Sequence, residues 1–82
     1  MKKKNKTVKK YVAISKVGYN GSMKQNICVK YRFNKIDRFL IFIQQKFPAV
    51  VWINIYSNDG INKNKLLYTW GKMKGLQEAY FI

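Results

Sequence analysis

Histidine is absent from this chain, cysteine occurs once, at Cys28, and acidic residues are confined to Asp37, Asp59 and Glu78. A single cysteine excludes an intrachain disulfide and any cysteine-rich zinc site, and the lack of histidine removes the other common metal ligand. The three acids are widely separated, so no carboxylate pair or base–nucleophile couple stands at a spacing that suggests general acid–base or covalent chemistry. The expectation is therefore no catalytic residue, no metal and no cofactor: not an enzyme. Cys28 sits among apolar strand-type residues and reads as an inert, half-buried thiol. No apolar stretch approaches the roughly 18 residues of a membrane span, and the first ten residues are not followed by a run of signal-peptide length. They also lack the Arg- and Ser-rich amphipathic pattern of an organellar leader, so the chain is expected to work, without a membrane, in the compartment where it is made.

Positive charge is what the sequence has in excess. Lysine and arginine number 17, for a net charge of +14 over 82 residues. A compact domain with that much self-repulsion calls for a polyanion, and nucleic acid is the commonest one. Lys2, Lys3, Lys4, Lys6, Lys9 and Lys10 crowd the first ten residues, a basic arm suited to tracking phosphates. A solubilising tail is the plainer alternative. Hydrophobic residues make up 48% and aromatics 16%, too much for a disordered basic segment, so residues 11–82 should form one folded domain behind the arm.

The pattern within that domain predicts an α+β fold: a small mixed sheet with one main helix, the basic N-terminal arm, and a C-terminal hairpin with a Gly/Lys loop. Residues 11–17 form a β-prone run ended by Gly18 and by the turn signal Asn20-Gly21-Ser22. Residues 26–33 alternate, with Ile27, Val29, Tyr31 and Phe33 on a core face and Cys28, Lys30 and Arg32 on a cationic one. Asn34 can cap a helix in which Ile36, Phe39, Leu40, Ile43 and Phe47 share a stripe, with Pro48 stopping it near Lys46; Phe42 lies off the stripe. Residues 49–56 are a continuous β-branched and aromatic run, the pattern of a strand buried on both faces or nearly so, which would put Trp52 in the core together with Trp70. After a polar loop carrying Lys63 and Lys65, residues 66–70 and 77–82 read as strands flanking Gly71, Lys72, Met73, Lys74 and Gly75. Two glycines and two lysines suit a backbone that approaches phosphates, although a plain basic hairpin turn is the simpler explanation.

At this loop the sequence resembles a known family, the bacterial-type universal large-subunit ribosomal protein sixteen. Val51-Trp52-Ile53-Asn54-Ile55-Tyr56 looks like the family's tryptophan strand, and Ile61-Asn62-Lys63 is similar to its loop element. Residues 71–75 resemble its glycine–lysine loop, and Glu78 and Tyr80 fall on its Glu and Trp positions. The likeness runs ungapped over residues 51–82; upstream only the order of arm, strand and helix, with Phe33-Asn34 at the helix start, is similar. Thr69-Trp70 stands where the family has Arg-Met, and Met73 where it has a glycine.

The resemblance implies a structural constituent of the large ribosomal subunit that binds ribosomal RNA and helps position tRNA near the peptidyl-transferase region. RNA contacts would come from Lys2, Lys3, Lys4, Lys6, Lys9, Lys10, Lys30, Arg32, Lys63 and Lys65, with the 71–75 loop facing tRNA. Lys, Asn, Ile and Tyr bias suggests an AT-rich genome, and a mitochondrial ribosome is the favoured setting, with a plastid or a bacterial cytoplasm as alternatives. Family members continue past this hairpin into a further strand and helix, so the domain is expected to be incomplete at its C-terminus. Its partners are then large-subunit RNA, tRNA and neighbouring ribosomal proteins, a separately encoded C-terminal half among them. Two other functions stay open: a phage or mobile-element protein that inhibits a nucleic-acid enzyme, though such inhibitors are more often acidic, and a free-standing single-stranded nucleic-acid binder that stacks bases on exposed Tyr and Trp.

Overall fold

The computed structural model describes residues 9–19, 22–47, 49–60 and 63–79. Six elements follow in order: β1 (Tyr11–Tyr19), β2 (Ser22–Phe33), α1 (Ile36–Lys46), β3 (Ala49–Ser57), β4 (Leu66–Gly71) and β5 (Gly75–Glu78). The fold is α+β, one helix on one five-stranded sheet of order β2-β1-β3-β4-β5. Every pairing is antiparallel, so the sheet is not mixed in strand direction. The reason is the path of the chain through the helix: β2 and β3 run the same way, but the crossover sets β3 beside β1, which separates the two parallel strands. Lys2, Lys3, Lys4 and Lys6, the expected turn at 20–21, Pro48, and residues 61–62 and 80–82 lie outside the described residues.

The alternation in β1 and β2 does what a period of two requires. Ala13 and Val17 of β1 are fully buried beneath the helix, and Val29, Tyr31 and Phe33 of β2 pack beside them. Phe39 and Ile43, a turn apart on α1, complete the core with Val50, Ile53 and Ile55 of β3. Phe33 stacks on Phe39 with centroids 4.2 Å apart, and Tyr31 meets Phe42 edge-on at 5.3 Å. Phe42, off the helical stripe, thus leans on the rim of the core with 43% of its surface exposed.

Two details depart from the sequence reading. Lys35, not Asn34, is the helix N-cap, and it makes no side-chain cap. The Asn34 side-chain oxygen instead accepts the Lys10 backbone N–H at 2.9 Å, a tertiary bond that outcompetes the local one. β5 begins at Gly75 rather than at residue 77, because Gly71 pairs with Gly75 and leaves only residues 72–74 to turn the hairpin. Gly75 has φ +72°, the left-handed conformation that closes a three-residue connection.

β3 is the main correction. It was expected to be buried on both faces or nearly so; Val50, Ile53, Ile55 and Ser57 are buried, whereas Trp52, Asn54 and Tyr56, which point the other way, are only partly buried. The single helix covers one side of the sheet, and no described element covers the other.

Candidate nucleic-acid interface

The uncovered face is built from the residues that alternate with the core. Strand register sets them in rows across the sheet. Arg32, Val12 and Tyr56 form one row, Lys30, Ile14, Asn54, Thr69 and Gln77 the next, and Cys28, Lys16, Trp52, Gly71 and Gly75 the third. Lys30 and Arg32 stand on β2, Lys16 on β1, Tyr56 and Trp52 on β3, and Thr69 and Gln77 on β4 and β5, with apolar Val12, Ile14 and Leu66 among them. The strand residues in these rows include no acid. Tyr56 and Trp52 are four residues apart on one strand, roughly 13 Å at about 3.3 Å per residue, with Asn54 between them.

Trp52 is the residue sequence reasoning misplaced. It was assigned to the core with Trp70, yet only Trp70 packs against the core cluster. A bulge explains how Trp52 is held. Lys16 pairs with Trp52 but Val17 pairs with Val50, so Val51 is an extra residue on β3. Beside this irregularity the buried Ser15 hydroxyl donates to the Trp52 carbonyl at 2.8 Å, fixing the backbone under the ring. On its other flank Trp52 faces Gly71, and a Cβ added there would meet nothing within 4 Å. The indole therefore borders a shelf free of side chains.

Of the cations assigned from sequence, Lys30, Arg32 and Lys63 come together. They line one groove of about 410 Å³ with Tyr56, over a floor that includes Val12 and Ile14. Lys63 arrives there through a tight return of the β3–β4 loop. The Asn64 N–H donates to the Ser57 carbonyl at 2.7 Å, the Ser57 N–H donates to the Lys65 carbonyl at 2.8 Å, and Asn64 takes φ 72°, which asparagine tolerates. Lys65 is exposed but does not line the groove. Lys16 was not among the assigned cations; its signal was its place opposite Val17 in the alternation of β1.

Lys9 and Lys10, the described end of the arm, are fixed at the same end of the sheet. The Asn58 side-chain amide donates to the Lys9 carbonyl and the Asn58 N–H to the Lys10 carbonyl, both at 2.9 Å. Asn58, which holds both carbonyls, itself lines the groove. The 71–75 loop does not join them: Gly71 pairs with Trp52, toward the far end of β3, and Met73 at its tip is 96% exposed between exposed Lys72 and Lys74. Cys28 also differs from expectation, being exposed on the open face of the edge strand, where no described element packs above it.

No family model matches the chain, and no curated protein or solved structure does either.

Proposed function

We propose that this protein binds a single-stranded segment of RNA across the open face of its sheet, as a structural binder without chemistry of its own. One observation carries the reading: the helix-free face sets Trp52 and Tyr56 on its central strand and Lys16, Lys30, Arg32 and Lys63 around them. Partly exposed rings stack on unpaired bases, while the ammonium and guanidinium groups take the phosphates between them. A duplex hides its base faces and offers such a surface only backbone and groove edges, so single strands are favoured. Asn54, Thr69 and Gln77 add hydrogen-bonding groups beside the stacking positions, suited to base edges and to ribose hydroxyls.

The test is fluorescence anisotropy with a labelled RNA of about 12 nucleotides, within the site sizes typical of such surfaces, against a duplex of equal length. Single strands should bind more tightly. The four open-face cation–phosphate contacts, at roughly 0.7 each, contribute about 3 to the log–log salt slope. Equal affinity for duplex and single strand, unchanged when both Trp52 and Tyr56 are replaced by alanine, would reduce the face to a general basic surface.

A second reading sets this binding in a ribosome. It is favoured by the β4–β5 hairpin, which presents Lys72, Met73 and Lys74 at an exposed three-residue tip, the shape needed to reach into folded RNA. On this reading the protein is a constituent of the large ribosomal subunit, mitochondrial by its composition, with the hairpin tip toward tRNA. Co-sedimentation with large subunits after a high-salt wash tests it. Release into the supernatant would leave the free-standing binder as the remaining account.

A further inference from the structure

A second basic groove lies on the helix side of the same sheet edge. It has a volume of about 440 Å³, and Lys9, Arg32, Lys35 and Arg38 surround an aromatic floor to which Tyr31 and Phe42 belong. No residue lining it is acidic. Its aromatic wall is ordered from below: Tyr31 meets Phe42 edge-on and Phe39 at 5.9 Å, so Phe42 is propped by the core while 43% of it stays exposed. The Asp37 carboxylate is engaged locally, accepting the Arg38 backbone N–H at 2.9 Å.

Arg32 joins this groove to the open face. It stands on β2, the edge strand, and it lines both the open-face groove and the helix-side groove. The cations thus form one sequence around the edge, from Lys63 and Lys30 on the open face, through Arg32, to Lys35 and Arg38 on the other side. An extended polyanion that follows them meets attraction at each step.

We infer that the helix-side groove is a second contact for the same RNA strand, which leaves the open face at Arg32, rounds the β2 edge, and stacks a base on Phe42 with its phosphates on Lys35 and Arg38. The inference rests on the open-face reading and extends it: the footprint is longer than one face of the sheet, and the strand bends about the edge. A rigid duplex cannot follow that path at this scale, since its persistence length is about 150 base pairs for DNA.

The experiment compares oligouridylates of about 4 and about 12 nucleotides on the full chain by fluorescence anisotropy. The wild-type protein should bind the longer one more tightly and with a steeper salt slope. Lys35→Ala with Arg38→Ala should lower the salt slope on the longer oligonucleotide by about 1.4, two phosphates at roughly 0.7 each, and leave the shorter one unchanged. Phe42→Ala, which alters no charge, should weaken the longer one about 5-fold or more, with circular dichroism confirming the fold. Equal weakening of both lengths, or no weakening of the longer, overturns the second contact. Tyr56→Ala with Lys63→Ala reports separately on the open face: it should weaken both lengths, and no effect on either would overturn the reading beneath the inference.

Discussion

β3 carries both faces of the sheet in one strand, and its neighbouring residues lead different lives. Ile53 and Ile55 are fully buried under α1, whereas Trp52 and Tyr56, one residue away from them, stay partly exposed on the side no described element covers. All four are large and β-prone. What separates them is parity, together with a single helix that covers only one side. Aliphatic side chains on the covered side gain by leaving water altogether; rings on the other side keep a face available to a ligand. The same strand thus supplies the core and the proposed binding platform.

Truncation on the covered side should give the largest effect. Ile53→Ala removes a fully buried branched side chain and should cost about 2–5 kcal/mol in urea unfolding. Trp52→Ala removes more atoms yet should cost roughly 2 kcal/mol, at the bottom of that range, because part of the ring already meets water. Its main effect should fall on RNA affinity, weakened by about 1–3 kcal/mol for one lost stacking partner. If Trp52→Ala destabilised the fold as much as Ile53→Ala, the two sides of the sheet would be energetically alike and the comparison would break.

The middle of the scale belongs to the hairpin. Gly75 has φ +72°, and although a Cβ there would meet no neighbour, the left-handed backbone itself should make Gly75→Ala cost about 1–2 kcal/mol, read from the thermal midpoint. A smaller cost would mean that the turn relaxes into another type. At the lower end, Lys72→Ala with Lys74→Ala should change stability by no more than about 0.5 kcal/mol, since both side chains are exposed. In the ribosomal setting that double variant should assemble but translate poorly, and normal translation would return the loop to a simple basic turn.

The order of elements, the alternation of β2 and the helical stripe were legible because each rests on a period that a few residues establish. Val29, Tyr31 and Phe33 fall on the core side, and Lys30 and Arg32 on the other, as alternation requires. β3 misled because its open-side residues are aromatic. Trp52 and Tyr56 fill the polar positions of the alternation with rings, and a run without polar punctuation looks like a strand buried on both faces. The sequence also cannot mark the Val51 bulge, which depends on how β1 and β3 twist together, or the bond from Lys10 to Asn34, which draws that asparagine away from the helix start. The groove around Phe42 was illegible for a related reason. Its cations come from the arm, β2 and the helix, and only the packing of α1 on the sheet edge brings them together.

The central claim is that Trp52 stacks on unpaired bases at the open face. Replacing Trp70 by phenylalanine leaves Trp52 as the only tryptophan, since the chain has two. Its emission can then be followed while single-stranded oligouridylate is titrated at several salt concentrations. The account predicts saturable quenching that is weaker with a duplex of equal length, and a binding constant that falls with salt with a slope of about 3 or steeper. Unchanged Trp52 emission at saturating single strand, or equal quenching by the duplex, would contradict it.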